Sequence, residues 1–128
     1  MRNLSHALLA AALLVGGAAP AARAVEPIKI GFSMELTGPF AVVGKTGLLA
    51  FKIWEEDVNA KGGLLGRPVE LVYYDDQSNP ATVPGIYTKL LDIDKVDLLV
   101  SSYGTNLTVP AMPVAISHNR LFLSLIHI

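Results

Sequence analysis

The feature that most constrains the fold of this 128-residue sequence is a change of hydrophobic period, repeated three times. Residues 28–34 (IKIGFSM) alternate apolar with polar or small side chains, the period-two pattern of a strand. A loop containing glycine and proline follows over residues 37–44. Gly47, Ala50, Phe51, Trp54 and Val58 then recur at helical spacing and form one apolar stripe. Gly62-Gly63 is expected to end that helix, because glycine takes the left-handed C-cap conformation without a Cβ penalty. A second strand is expected over residues 68–74 (PVELVYY), and a helix that becomes regular over residues 84–91. Residues 97–102 (DLLVSS) form a nearly continuous apolar strand, residues 108–118 a proline-containing helix, and Leu121-Phe122-Leu123 opens a fourth strand. Strands separated by helices need crossovers rather than hairpins. The order therefore predicts an α/β fold, a parallel sheet with flanking helices.

Composition then narrows the function. Ten basic residues face eleven acidic ones, which lacks the electrostatic footprint of a general nucleic-acid binder. The absence of cysteine excludes a disulfide framework, a thiolate metal site and a cysteine nucleophile. The apolar excess (52% of the chain) is concentrated at the start, MRNLSHALLAAALLVGGAAPAARA. Arg2 supplies a basic beginning, residues 7–15 are apolar but too short to span a bilayer, and Ala22-Arg23-Ala24 has the small–x–small pattern of a cleavage site. Residues 1–24 are thus expected to be a signal peptide cleaved after Ala24, with a periplasmic product. An amphipathic helix is the competing reading, but the stretch has no polar face.

Several motifs have plainer explanations. Gly44-Lys45-Thr46 lies between strand and helix, as a phosphate-binding loop would. Five residues separate Gly38 from Gly44 where that motif needs four, and the glycines fit a tight turn in a ligand-facing loop better. Asp75 and Asp76 point to opposite faces of an extended chain and are expected to be solvated carboxylates capping local N–H groups. His118 is expected at the surface near a helix C-terminus. Ser33, Ser101 and Ser102 lack a nucleophile elbow. Trp54 is expected in the core. The segment Ser101-Ser102-Tyr103-Gly104-Thr105-Asn106 is more informative. In doubly wound sheets ligands sit beyond the carboxyl ends of the strands, where a helix start offers free N–H groups to an anion. Thr105 adds a hydroxyl and Tyr103 could wall an apolar pocket; an ordinary βα turn remains the alternative.

Taken in order, IKIGFSMELTGPFAVVG, DVNAKGGLLGRPVELVYYDDQSNP and KLLDIDKVDLLVSSYGTN resemble the periplasmic solute-binding proteins of ABC transporters, in the branched-chain amino acid (leucine) and amide-binding group. The resemblance implies a type I periplasmic binding protein fold, of which residues 25–124 would be an incomplete first lobe. It implies no enzymatic activity, no cofactor and no metal. The implied partners are an amino acid, amide or related small carboxylate as ligand and the membrane permease of the transporter, with the full-length protein a monomer. A sensory or regulatory module on the same fold is the alternative.

The resemblance also maps a ligand site. Thr105, with Gly104 and Tyr103 beside it, corresponds to the turn that binds an amino acid carboxylate, and the loop containing Phe40 and Val43 corresponds to a cleft-facing loop. Val43 stands where many amino acid binders have an aromatic residue, and Tyr103 where leucine binders more often have an aliphatic one; both departures argue against a typical leucine pocket. Ser78 and Gly104 occupy the positions of a disulfide found in some members. Residues 125–128 depart from the family and resemble translated adapter DNA, so a non-native tail is expected there.

Overall fold

A computed structural model of the chain describes residues 25–124. The expected export signal (residues 1–24) and the expected tail (residues 125–128) lie outside the described residues. Seven elements alternate: β1 (Ile28–Met34), α1 (Ala41–Ala60), β2 (Val69–Asp75), α2 (Val83–Asp92), β3 (Leu98–Val100), α3 (Thr105–Ser117) and β4 (Phe122–Leu123). The four strands form one parallel sheet in the order β2-β1-β3-β4. β1 is central and pairs with β2 along its whole length, from Ile28 opposite Val69 to Met34 opposite Asp75.

The alternation along β1 sorts its side chains to two faces. Ile28, Ile30, Phe32 and Met34 are buried with Val69 and Val100 on the α1 face, where Phe32 stacks on Phe51 and Tyr73. On the opposite face, beyond Lys29, β1 presents the small residues Gly31 and Ser33. A Cβ at Gly31 would stand 2.9 Å from a methyl of Val96, so the close packing of the segment after α2 requires glycine there. That face is covered by α2 and α3, whose Val83, Tyr87, Leu90, Leu107, Ala111 and Ala115 form a second buried cluster with Leu99. Each helix thus contributes one apolar stripe to a layer, the arrangement that lets a parallel sheet bury both faces.

Cap and proline chemistry account for the boundaries. α1 ends as expected, with Gly62 and Gly63 at positive φ and the Gly63 N–H closing onto the Val58 carbonyl. Pro110 and Pro113 lie inside α3. The carbonyls they leave without a donor belong to Asn106 and Val109, both exposed residues that water can reach.

Three expectations need correction. α1 begins at Ala41, not after the glycine loop, and Gly44 is a buried helical residue. Gly38 does make a turn, at φ 83°, but Gly44 serves close packing: a Cβ there would collide with the Glu35 carbonyl. α3 begins at Thr105, a turn earlier than residue 108, because the chain leaves β3 through a short turn ending at Gly104. Trp54 is not core. It is 38% exposed, because α1 covers only part of its face and leaves an apolar groove of about 580 Å³ beside it. Ile30, Leu64, Leu98, Val100 and Leu123 line that groove with Trp54. None of the helices among the described residues is long and apolar enough to cross a membrane.

Candidate functional site

The carboxyl ends of β1, β2 and β3 converge at one edge of the sheet, where polar side chains join them. Asp76, immediately after β2, is fully buried. Its Oδ2 accepts hydrogen bonds from the Ser33 and Ser102 hydroxyls, each at 2.9 Å, and its Oδ1 accepts one from the Ser78 N–H at 2.9 Å. The Asp76 reading is therefore half corrected: it caps a local N–H, but its carboxyl is turned into the protein rather than solvated. The alternation of an extended chain explains the split, since Asp75 faces the other way. The Asp75 carboxyl receives the Thr37 hydroxyl at 2.7 Å and the N–H groups of Leu36, Thr37 and Gln77. Partial burial works against its ionisation, but these donors outweigh it and hold the carboxyl below the usual value of 3.8.

The two acids tie three loops together. Asp75 fixes the loop after β1, and Ser78 does so a second time: its hydroxyl donates to the Thr37 carbonyl at 2.8 Å and accepts the Phe40 N–H at 3.1 Å. Asp76 links the ends of β1 and β3 through Ser33 and Ser102. Below them Tyr87 of α2 donates to the Val100 carbonyl at 2.6 Å. Burial pushes its phenol up to about 12.

Above this floor, Gly104 caps α3 at φ 94°, a conformation suited to glycine. The N–H groups of Leu107 and Thr108 close onto the Gly104 carbonyl, so the amides of Thr105 and Asn106 precede the first intrahelical bond and face outward with the positive end of the helix dipole. Thr105 is exposed at this end. Beside it Tyr103, 53% exposed, joins Val43, Val42, Met34, Thr46 and Gly47 around an apolar depression of about 380 Å³. The structure thus places Tyr103, Gly104 and Thr105 consecutively at the helix start and brings Val43 to Tyr103. Phe40, 40% exposed, lies in the loop held by Ser78 and does not line that depression. His118 caps the far end of α3, where its Nε2 lies 3.3 Å from Asp92, away from this edge.

Glu35 was not read as a site residue from sequence, and Ser102, which lies in the candidate turn, was not read as its partner. Glu35 and Ser102 are fully buried and joined at 2.8 Å between Oε1 and Oγ. An acid directly after β1 and a serine two residues past the end of β3 are the only signals, and neither reveals that the two meet.

The chain as a whole is similar to known proteins. Residues 27–127 match the family described as periplasmic binding protein. A "Leu/Ile/Val-binding protein homolog 7" from Brucella melitensis is 32% identical over 107 residues, 84% of this chain and 26% of the relative. The "Leucine-, isoleucine-, valine-, threonine-, and alanine-binding protein" of Pseudomonas aeruginosa is 30% identical over 83% of this chain and 28% of its own length. Among solved structures, a branched-chain amino acid transporter substrate binding protein from Streptococcus pneumoniae, in complex with isoleucine, superposes with a TM-score of 0.74 at 28% identity. That match covers 77% of this chain and 28% of the other. The chain spans about a quarter of the length of the relatives it matches.

Proposed function

Since the chain belongs to the periplasmic binding protein family, we propose that it forms part of the solute-binding component of an ABC transporter, a non-catalytic receptor that captures an amino acid, amide or related small carboxylate outside the cytoplasm. The observation that carries this reading is the start of α3. Outward-facing amides at Thr105 and Asn106 and the Thr105 hydroxyl stand next to an apolar depression walled by Tyr103 and Val43. A carboxylate would sit on the helix start, where N–H donors and dipole favour a negative group. An apolar side chain would extend toward Tyr103 and Val43, and the buried Asp76 network beneath would hold the donors in place without reorganising.

The names of the relatives make the branched-chain amino acids the first ligands to test. Val43 and Tyr103 in place of the commoner residues favour including amides and aromatic acids. In this reading residues 1–24 are a removed export signal that delivers the protein to the periplasm, residues 25–124 belong to a first lobe, and a second lobe closes over the ligand about a hinge before delivery to a membrane permease. The length of the relatives supports that arrangement, and the apolar groove beside Trp54 is a surface on which further sequence of the first lobe would pack.

The test is a thermal-shift screen of the full-length mature protein against amino acids, amides and aromatic acids. A rise in melting temperature with one such class is the expected result, and its absence across all of them would reject the receptor reading.

A further inference from the structure

At the floor of the candidate site one hydroxyl proton stands between two carboxyls. Glu35 follows β1, is fully buried, and its Oε2 has no hydrogen-bond partner among the described residues. Its Oε1 lies 2.8 Å from Ser102 Oγ, and the same Oγ lies 2.9 Å from Asp76 Oδ2. A serine hydroxyl has one proton and can donate to one of these oxygens only. Both contacts become hydrogen bonds when one of the two carboxyls carries a proton of its own and donates it to the hydroxyl. Asp76 already accepts from Ser33 and Ser78, as a carboxylate does. The Glu35 Oε2 instead makes no hydrogen bond among the described residues, which costs far less for the carbonyl of a neutral acid than for a buried carboxylate. The bookkeeping of donors therefore puts the proton on Glu35.

We propose that Glu35 is a positioning residue for the candidate site: it holds a proton on Oε1, donates it to Ser102, and so sets the turn of Ser102, Tyr103 and Gly104 that opens α3. Ser102 then donates to Asp76, completing a chain from the end of β1 through the end of β3 to the end of β2. Burial is the main influence raising the Glu35 carboxyl above its ordinary 4.5. Asp76 pushes the same way, while the Ser102 hydroxyl and the amides of Glu35 and Tyr103 oppose it. Among the described residues Asp76 is the charged group that acts on this cluster. Tyr87 of α2 touches Ser33 and Val100, α3 offers the Thr108 hydroxyl to the Ser102 carbonyl, and α1 presents Gly44.

Because the folded pKa is raised, the contribution of this network is fully present below 4.5 and is lost as pH rises through the folded value. Above it, two negative carboxyls would share one hydroxyl and the turn would loosen. The functional consequence, a pH-dependent ligand affinity, rests on the reading of this turn as the ligand site. The position of the proton does not.

The experiment is a carbon NMR titration of the Glu35 carboxyl in the full-length protein without ligand, with the amide resonances of Tyr103, Gly104 and Thr105 followed in parallel. The expected result is a Glu35 midpoint above 4.5, with the three turn amides shifting at that same midpoint. In Glu35→Gln, whose amide donates to Ser102 as the acid does, the turn amides should stay near their acid-form positions throughout. A midpoint at or below 4.5, turn amides that ignore the Glu35 titration, or a Glu35→Gln protein whose turn still titrates would each overturn the proposal. The wild-type titration alone decides the first two, so a variant that fails to fold leaves the test intact. A ligand-free failure here is distinct from failure to bind solutes, which the thermal-shift screen reads.

Discussion

Replacing Gly44 by alanine puts the packing between α1 and the end of β1 to a test in which even the sign is informative. Gly44 lies inside α1, where glycine is about 1 kcal/mol less favourable than alanine, so a site with open space around it would be stabilised by the change. Here the added Cβ meets the carbonyl oxygen and carbon of Glu35. The obstacle is backbone at the end of the central strand, not the tip of a flexible side chain. Overpacking of this kind costs about 1–3 kcal/mol, and a neighbour that cannot rotate away puts it at the upper end. After subtracting the gain in helix propensity, the expected net loss is on the order of 2 kcal/mol. For about a hundred ordered residues that corresponds to a fall of roughly 10 °C in melting temperature. Gly85→Ala is the matched control: Gly85 lies in α2 and a Cβ there meets nothing within 4 Å, so that variant should gain about 0.5–1 kcal/mol. Urea and thermal unfolding followed by circular dichroism measure both. Equal stabilisation by the two substitutions would refute the close approach of α1 to Glu35, and with it the placement of Val43 beside Tyr103.

The other expectations concern the polar floor and its neighbours. Asp76→Ala should lower stability by on the order of 3 kcal/mol in urea unfolding, because the buried Ser33 and Ser102 hydroxyls and the Ser78 N–H lose their acceptor together. Asp75 is held below 3.8, so its contribution is present above that value and should be lost as pH falls through the lowered one; Asp75→Asn should flatten this acid limb of a pH–stability curve, and an unchanged limb would count against it. Tyr87 should ionise only near 12 in an ultraviolet absorbance titration, with unfolding close behind, and Tyr87→Phe should remove that step.

The order of elements was legible because each period of the sequence has one structural meaning. The alternation of Ile28, Ile30, Phe32 and Met34 marks the buried face of a strand, and Gly62-Gly63 marks a helix end, whatever surrounds them. Gly44 was misread for the opposite reason. A glycine before a helical stripe reads as a turn from sequence, while its actual role depends on a carbonyl brought near it by the fold. Trp54 shows a related difficulty: helical spacing identifies the apolar stripe but not how much of it another layer covers. At the site, the exposed turn of Tyr103, Gly104 and Thr105 could be found from its position after a strand. The Glu35–Ser102–Asp76 chain could not, because its members lie 26 to 67 residues apart and meet only where three parallel strands end.

The central claim is that the start of α3 holds the carboxylate of a small solute. Isothermal titration of the full-length mature protein with leucine, isoleucine and valine, then with the best amide or aromatic acid from the screen, tests it directly when repeated on Thr105→Ala. A hydrogen bond to a charged group contributes about 1.5–3 kcal/mol, so the substitution should weaken binding roughly 10- to 100-fold while the melting temperature of the free protein stays unchanged. Equal affinity of the two proteins for a carboxylate-bearing ligand would contradict the assignment.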